Sequence, residues 1–278
     1  MKPKISIITV NYNNATGLRE TIKSVLEQRL SGVEYLVIDG ASDDGSVAVL
    51  KEYESEIDYT ISEADTGVYQ AMNKGIRAAN GDYLLFLNSG DTLHNSEVLE
   101  SVDSMIQGDK DIYYGNLMFR SAKRSFVRNY PKQLRFSYFL KKSLPHPGSF
   151  IKRALFEQLF YYSEAYNIVS DWEFFLVAVF KAEVSYEHLD LVISNFDLEG
   201  MSNDPKNNKL IKKERSQVLQ HHFPGFYKDF EEMTKHRIRA ERKDLQLLRQ
   251  IQQSKTGRRV VFRVLQFLSL FFGTKKKE

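Results

Sequence analysis

Before residue 91 the chain alternates between two hydrophobic periods. Ile5 to Val10 is a short apolar run that ends in the polar turn Asn11-Tyr12-Asn13-Asn14, which predicts a strand. Leu18, Ile22, Val25 and Leu26 then fall at helical spacing, predicting an amphipathic helix over 16–28. Val33 to Ile38 and Ile57 to Ile61 predict two more strands, with a helix over 45–54 between them. A further helix carries Tyr69, Met72, Ile76 and Ala79. Tyr83 to Leu87 follows without a charge and breaks into Asn88-Ser89-Gly90-Asp91, the pattern of a buried central strand. Four strands alternating with three helices imply βαβ units, and the fixed hand of such units implies a doubly wound parallel sheet.

The candidate chemistry sits at the ends of these strands. Asp39, Asp65 and Asp91 each end or closely follow a strand, and open α/β sheets collect ligands at that edge. Such an acid can equally cap the next helix, and Asn-Ser-Gly-Asp is good turn chemistry. Three on one edge favour a nucleotide and metal site, with Asp39 toward a base or ribose and Asp91 toward a cation on a diphosphate. Mg²⁺ and Mn²⁺ suit this, since they bind through one or two carboxylates plus phosphate oxygens. A dinucleotide-binding fold would need Gly-x-Gly-x-x-Gly after the first strand; the chain has Asn11 to Gly17 there, and no Walker pattern.

Charge changes the picture at one end only. Residues 255–278 hold seven basic side chains and Glu278, a net +6 against +3 for the whole chain, so the remainder is −3. A mildly acidic body argues against nucleic-acid binding, while the tail favours an anionic surface. There is no cysteine, which excludes disulfides and thiolate chemistry and agrees with a reducing compartment. The first residues read as a strand and not as a secretory leader, so the expected location is cytoplasmic.

Four ordered motifs carry a resemblance: Ser6 to Asn13, Val37 to Gly45, Glu63 to Gly75, and Gly81 to Asp91. Over residues 4 to about 200 the chain resembles the family 2 inverting glycosyltransferases of GT-A fold. The resemblance implies that Val10, Tyr12 and Asp39 line the nucleobase pocket, and that Asp65, Asn73 and Lys74 lie near the ribose and diphosphate. Ser89 joins the donor site, and Asp91 is the direct ligand of Mn²⁺ or Mg²⁺. Asp171, in Ser170-Asp171-Trp172-Glu173, matches the catalytic base, although Ser170 or Asp171 also suits an N-cap. His146, Trp172 and Glu173 fall on the acceptor side, with a structural hydrogen bond and core filling as the plainer roles of His146 and Trp172. Two departures stand out: Val10 replaces a proline, and Asn88-Ser89-Gly90-Asp91 replaces an Asp-Ser-Asp-Asp pattern. Asn195 to Ser202 resembles a donor-closing Phe-x-x-Gly-Gly-x-Ser loop with Glu199 at its first glycine. Gln-x-x-Arg-Trp and multiple membrane spans, marks of processive relatives, are absent, which implies one sugar per encounter.

Later segments predict strands at Asp111 to Leu117 and Ser125 to Tyr130, and two charged helices over 206–252. In the tail, Arg258, Arg259, Arg263, Gln266 and Ser269 share one helical arc, with Val260, Val261, Val264, Leu265, Phe267, Leu268, Phe271 and Phe272 on the other. The apolar stretch reaches only about 21 Å, short of a bilayer core of ~30 Å, which predicts a helix lying in an anionic membrane surface or packing on protein. The expected organisation is a GT-A domain at 1–204, a helical extension at 205–254 and a basic amphipathic tail at 255–278. The expected activity is inverting transfer from a nucleotide-diphosphate sugar, a UDP-sugar first, to a glycan or polyprenyl-diphosphate-linked acceptor at the inner face of the membrane. The competing expectation is a nucleotide-sugar-binding subunit that has lost turnover.

Overall fold

The computed structural model describes residues 4–121, 124–197, 205–229, 232–233, 251 and 253–272. Two compact units divide the chain at Gln217/Val218. In the first, strands β1 (Ile5–Asn11), β2 (Glu34–Asp39), β3 (Tyr59–Ser62) and β4 (Tyr83–Phe86) alternate with helices α1 (Ala15–Leu26), α2 (Ser46–Glu52) and α3 (Val68–Ala78). All four strands are parallel in the order β3-β2-β1-β4, with Asn11 opposite Asp39 and Ile8 opposite Phe86. The chain winds outward from β1 to β3 and returns to β4 on the other side. The crevice between the carboxyl ends of β1 and β4 is therefore the switch point where α/β sheets bind ligands.

Beyond β4 the sheet is mixed, as the remaining strands show: β5 (Thr92–Leu93), β6 (Ile112–Ser121), β7 (Arg124–Arg128), β8 (Ser149–Lys152) and β9 (Tyr186–Asp197). β8 is antiparallel to β4 and β6, while β9 is parallel to β6 and antiparallel to β5; β7 forms a hairpin with β6. Helices α4 (Val98–Met105), α5 (Phe136–Phe139), α6 (Ala154–Gln158) and α7 (Ser170–Phe180) complete this part, and α8 (Asn208–His222) begins in the first unit and continues past Gln217.

Strand alternation divides the core into two layers. Ile5, Ile7, Val37 and Leu85 face α1, α2 and α4, packing with Leu18, Ile22, Leu50 and Val102. Ile8 and Ile38 face α3 so closely that a Cβ on Gly75 would lie 2.5 Å from the Ile8 side chain. Phe86 on the same face meets the rings of His146, Phe156 and Tyr162. Tyr83 to Leu87 is buried throughout, as its uncharged run predicts.

The second unit includes α9 (Lys255–Phe272), where the tail's periodicity predicts a helix. Among the described residues no helix is long and apolar enough to cross a membrane. Residues 198–204, most of 230–250 and the terminal lysines lie outside the described residues, as do the second charged helix and all but Asn195 to Asp197 of the donor-closing segment expected at 195–202.

Candidate active site

The loops after β1, β2 and β3 lock together through Asp39. Its Oδ1 accepts from Asn11 Nδ2 (2.7 Å) and Ser42 Oγ (2.6 Å), and its Oδ2 accepts from Ser42 N (3.0 Å) and Ser62 Oγ (2.6 Å). Burial pushes this carboxyl up, and the hydrogen bonds from Ser42, Ser62 and Asn11 outweigh it, holding the pKa below the usual carboxylate value. The side chain is fully buried and protein donors occupy all four of its acceptor positions. These bonds make Asp39 a scaffold for the loop that carries Ser42.

The exposed group on this edge is Tyr12, 69% accessible. Between it and Asp65 sits Gly40, whose added Cβ would lie 2.8 Å from Asp65 Oδ2 and 3.2 Å from the Tyr12 ring. Only a residue without a side chain lets the ring and the carboxylate approach this closely. Asp65 Oδ1 accepts from Gly67 N at 3.0 Å as α3 begins. Val10 is buried at the end of β1. Lys74 pairs with Glu63 at 2.9 Å on the same edge. Asn73 is buried and ties α3 to the later chain, donating to Tyr162 O (2.8 Å) and Glu164 Oε1 (3.0 Å).

Across the switch point, Asn88 to Asp91 closes a turn with Asp91 N donating to Asn88 O at 2.9 Å. Gly90 has φ +105°, a left-handed conformation that side chains rarely adopt, so glycine at this position has a backbone cause. Thr21 of α1 clamps the turn: its hydroxyl accepts from Gly90 N (3.0 Å) and donates to Asp91 O (2.7 Å). Asn14 at the N-cap of α1 donates to Ser89 O at 3.0 Å.

Asn88, Ser89 and Asp91 line a cavity of about 760 Å³ whose other walls include Tyr69, His146 and Asp171. Asp171 stands in the first turn of α7, where Val169 is the N-cap and no side chain caps the helix. Asp171 Oδ1 instead accepts from the Tyr69 hydroxyl at 2.8 Å. Burial, then the Asp171 charge, push the Tyr69 pKa well above its ordinary value, so the phenol stays a donor. Ser170 Oγ accepts from Ser163 N, and buried Glu214 accepts from Asn167 N (2.9 Å) and Ile168 N (3.1 Å). These bonds fix the approach to α7.

His146 Nε2 lies 2.9 Å from Tyr162 Oη and its ring stacks on Phe86, centroids 4.7 Å apart. Burial lowers its pKa, with Asp171 acting the other way, so it lines the cavity as a neutral imidazole. Trp172 is buried, donates from Nε1 to Phe139 O at 2.8 Å and carries Arg215 over its ring. It therefore forms the cavity floor and presents no open face for stacking a sugar. Glu173 is buried and does not line the cavity. Tyr69, Asn88 and Arg215 enter the site without being expected there. Nothing in the spacing of the chain points to Arg215.

The doubly wound parallel half, its mixed extension and the cleft that holds Asp91 and Asp171 make up an architecture of GT-A type. The chain belongs to glycosyl transferase family 2, whose model matches residues 6–168. Asp171 and Arg215 lie past the end of that match. An uncharacterized glycosyltransferase of Mycobacterium tuberculosis is 36% identical over 72% of this chain and 77% of its own length. Staphylococcus aureus TarS residues 1–349, solved with UDP-GlcNAc, align with TM-score 0.62 at 16% identity, over 79% of this chain and 67% of that one. The mannosyltransferase PcManGT from Pyrobaculum calidifontis, solved with GDP-Man and Mn²⁺, aligns with TM-score 0.56 at 16% identity, over 81% and 64%. Both structural likenesses bear on the fold.

Proposed function

We propose that this glycosyltransferase moves one sugar per encounter from a nucleotide-diphosphate donor to a hydroxyl of a cell-surface glycan acceptor, with inversion. The observation that carries the reading is the single cavity shared by Asp91 and Asp171. The nucleoside lies over Tyr12 and Asp65, with Lys74 nearby, and the diphosphate reaches Ser89 and Asp91 at the switch point. The acceptor oxygen attacks the anomeric carbon from the face opposite the bond to phosphate. That bond breaks with its electron pair going to the nucleoside diphosphate, and the acceptor proton passes to the Asp171 carboxylate. Tyr69 holds the carboxylate in line for this transfer. His146, neutral and packed on Phe86, shapes the acceptor side without supplying a charge.

The residues present fit a divalent cation. Asn88 has a buried side-chain oxygen with no hydrogen-bond partner, on the same cavity wall as Asp91. An amide oxygen and a carboxylate are hard ligands of the kind Mg²⁺ and Mn²⁺ take alongside phosphate oxygens. Among the described residues no cluster of three acids or histidines competes for it. When bound, the ion offsets charge on the departing diphosphate. The solved structures with UDP-GlcNAc and with GDP-Man and Mn²⁺ support this class of donor and cofactor.

The exposed apolar residues and basic edge of α9 support peripheral attachment to an anionic membrane at its inner face, where a polyprenyl-linked acceptor would be reached. A panel of nucleotide sugars, screened for thermal stabilisation with and without Mn²⁺, tests the donor reading. Asp171→Asn should then lower transfer by about 100-fold to 10,000-fold while nucleotide binding persists. Full turnover by Asp171→Asn removes the base assignment, and a wild-type chain that binds donor without turnover leaves only the binding-subunit reading.

A further inference from the structure

The cavity has a cationic wall that the transfer chemistry leaves unused. Arg128 from β7, Lys141 and Lys142 from the loop after α5, and Arg215 from α8 all line it. Among the described residues none of the four forms an ion pair with a carboxylate. Arg215 is the most confined. Its guanidinium lies 4.8 Å from the centroid of the Trp172 ring, and its buried Nε has no hydrogen-bond partner. Burial lowers its pKa and the Asp171 charge opposes this, which puts the guanidinium within the field of the base. A half-buried cation with an unused donor, beside three more, is costly to keep unless an anion joins it.

Position separates this wall from the donor site. The donor edge is built by the loops after β1 to β4, and none of the four cations comes from them. Arg215 lies within the field of Asp171, which must touch the attacking hydroxyl, and the other three line the same cavity. Resting on the transferase reading, we infer that the acceptor carries a phosphate or diphosphate group close to its accepting hydroxyl, and that Arg215, Lys141, Lys142 and Arg128 bind it. The Arg215 fork suits two oxygens of one phosphate, and the exposed lysines add point charges at the mouth. Tyr130 and Tyr138 line the same cavity and offer ring surface to the rest of the acceptor.

The test is calorimetric titration of the full-length chain, first with UDP and Mg²⁺ and then, UDP saturating, with inorganic pyrophosphate and with geranyl diphosphate. The expected result is that pyrophosphate binds the UDP-loaded protein, and that Arg215→Gln and the double variant Lys141→Gln/Lys142→Gln each weaken it by about tenfold. The exposed lysine pair guards against misfolding, since neither side chain packs in the core. Tighter binding of geranyl diphosphate than pyrophosphate identifies a lipid-linked source, and equal binding a phosphate of a soluble or polymeric acceptor. Displacement of pyrophosphate by UDP overturns the inference, because the cations then serve the donor. Pyrophosphate binding indifferent to both variants overturns it as well. Failure of UDP to bind the wild-type chain strikes the donor reading instead, and pyrophosphate binding to the variants still decides the anion site.

Discussion

The Tyr69 hydroxyl and the Asp171 carboxylate, 102 residues apart in sequence, meet at 2.8 Å across the cavity. The bond joins the helix that follows the donor-side turn to the helix that carries the proposed base, so the geometry of one half of the site is transmitted to the other. Tyr69→Phe removes the donor and leaves the ring packed on Tyr162. kcat should fall by about 10-fold to 100-fold, because a base free to rotate is misaligned for much of the time. KM for the donor and the melting temperature should hardly move. An effect on KM with kcat preserved would make Tyr69 a binding residue and not a positioning one.

Gly90 supplies a second prediction. Restoring an acid there by Gly90→Asp places a side chain at φ +105°, where the backbone penalty is about 1–2 kcal/mol. The Thr21 clamp on Gly90 N and Asp91 O leaves the turn little room to relax. The variant should melt at a lower temperature and bind UDP with Mn²⁺ no more tightly than the wild type. Tighter Mn²⁺-dependent binding would mean that a lone acid, and not the turn conformation, limits the site.

Glu214 holds the loop that leads into α7 by accepting from two consecutive backbone N–H groups, Asn167 and Ile168. Glu214→Ala leaves those donors without their partner and should cost about 1–3 kcal/mol in denaturant unfolding. Transfer should drop with it, since Asp171 begins the next turn of chain. Wild-type stability with wild-type turnover would show that the loop is held by other contacts.

How much of this was legible before the fold is clear from particular residues. The parallel half reads directly at β1, β2 and β4, each a buried apolar run followed by a polar turn, while β3 at the sheet edge is mostly exposed. β9 does not: Tyr186 to Asp197 mixes Glu187, His188, Asp190 and Asn195 among its apolar residues, and its register shifts between Tyr114 and Leu117. Its strand character comes from pairing with β6 and β5, a long-range property. At the site, Asp91 and Asp171 could be picked from local motifs, since each sits at the end or start of an element. The partners of Asp39 and Trp172 were not legible: Ser62 and Asn11 on neighbouring strands, with the nearby Ser42, bond Asp39, and Phe139 O takes the Trp172 N–H. Arg215 sits on a helix whose charged pattern looks like a solvated face, and only the packing of Trp172 beneath it reveals a cavity.

Acid should destabilise the fold through its histidines. Burial lowers the pKa of both His146 and His188 below the ordinary 6.5, so the unfolded chain takes up protons at a higher pH than the folded one. Their contribution is fully present above about pH 6.5 and is lost as pH falls toward the folded values. Unfolding free energy measured between pH 7.5 and pH 5 should therefore decline, and His146→Gln should flatten the decline without abolishing it, since His188 remains. Asp39, whose pKa is held low by its hydrogen bonds, acts in a separate and more acidic window. An unchanged slope in His146→Gln would show that His146 is not held neutral by the fold.

The tail makes the last prediction. Val264 and Leu268 lie near the middle of the apolar arc of α9 and are both exposed, while Arg258, Arg259 and Arg263 occupy the other side. Phe262 is exposed too and falls among the polar positions, so the apolar surface is broader than a simple two-faced helix. Burying Val264 and Leu268 in a lipid interface is worth about 1.5–3 kcal/mol each, and the arginines add attraction that salt screens. Full-length chain should sediment with phosphatidylglycerol vesicles, bind phosphatidylcholine vesicles more weakly, and lose affinity in about 0.5 M salt. Val264→Asp/Leu268→Asp should cut vesicle binding by at least about tenfold, as deletion of 255–278 should, with donor hydrolysis retained. Vesicle binding that survives both changes would remove α9 as the membrane element. Salt-insensitive binding would leave the apolar arc in place but assign no role to the arginines, and with them would go the reason to expect an anionic lipid surface.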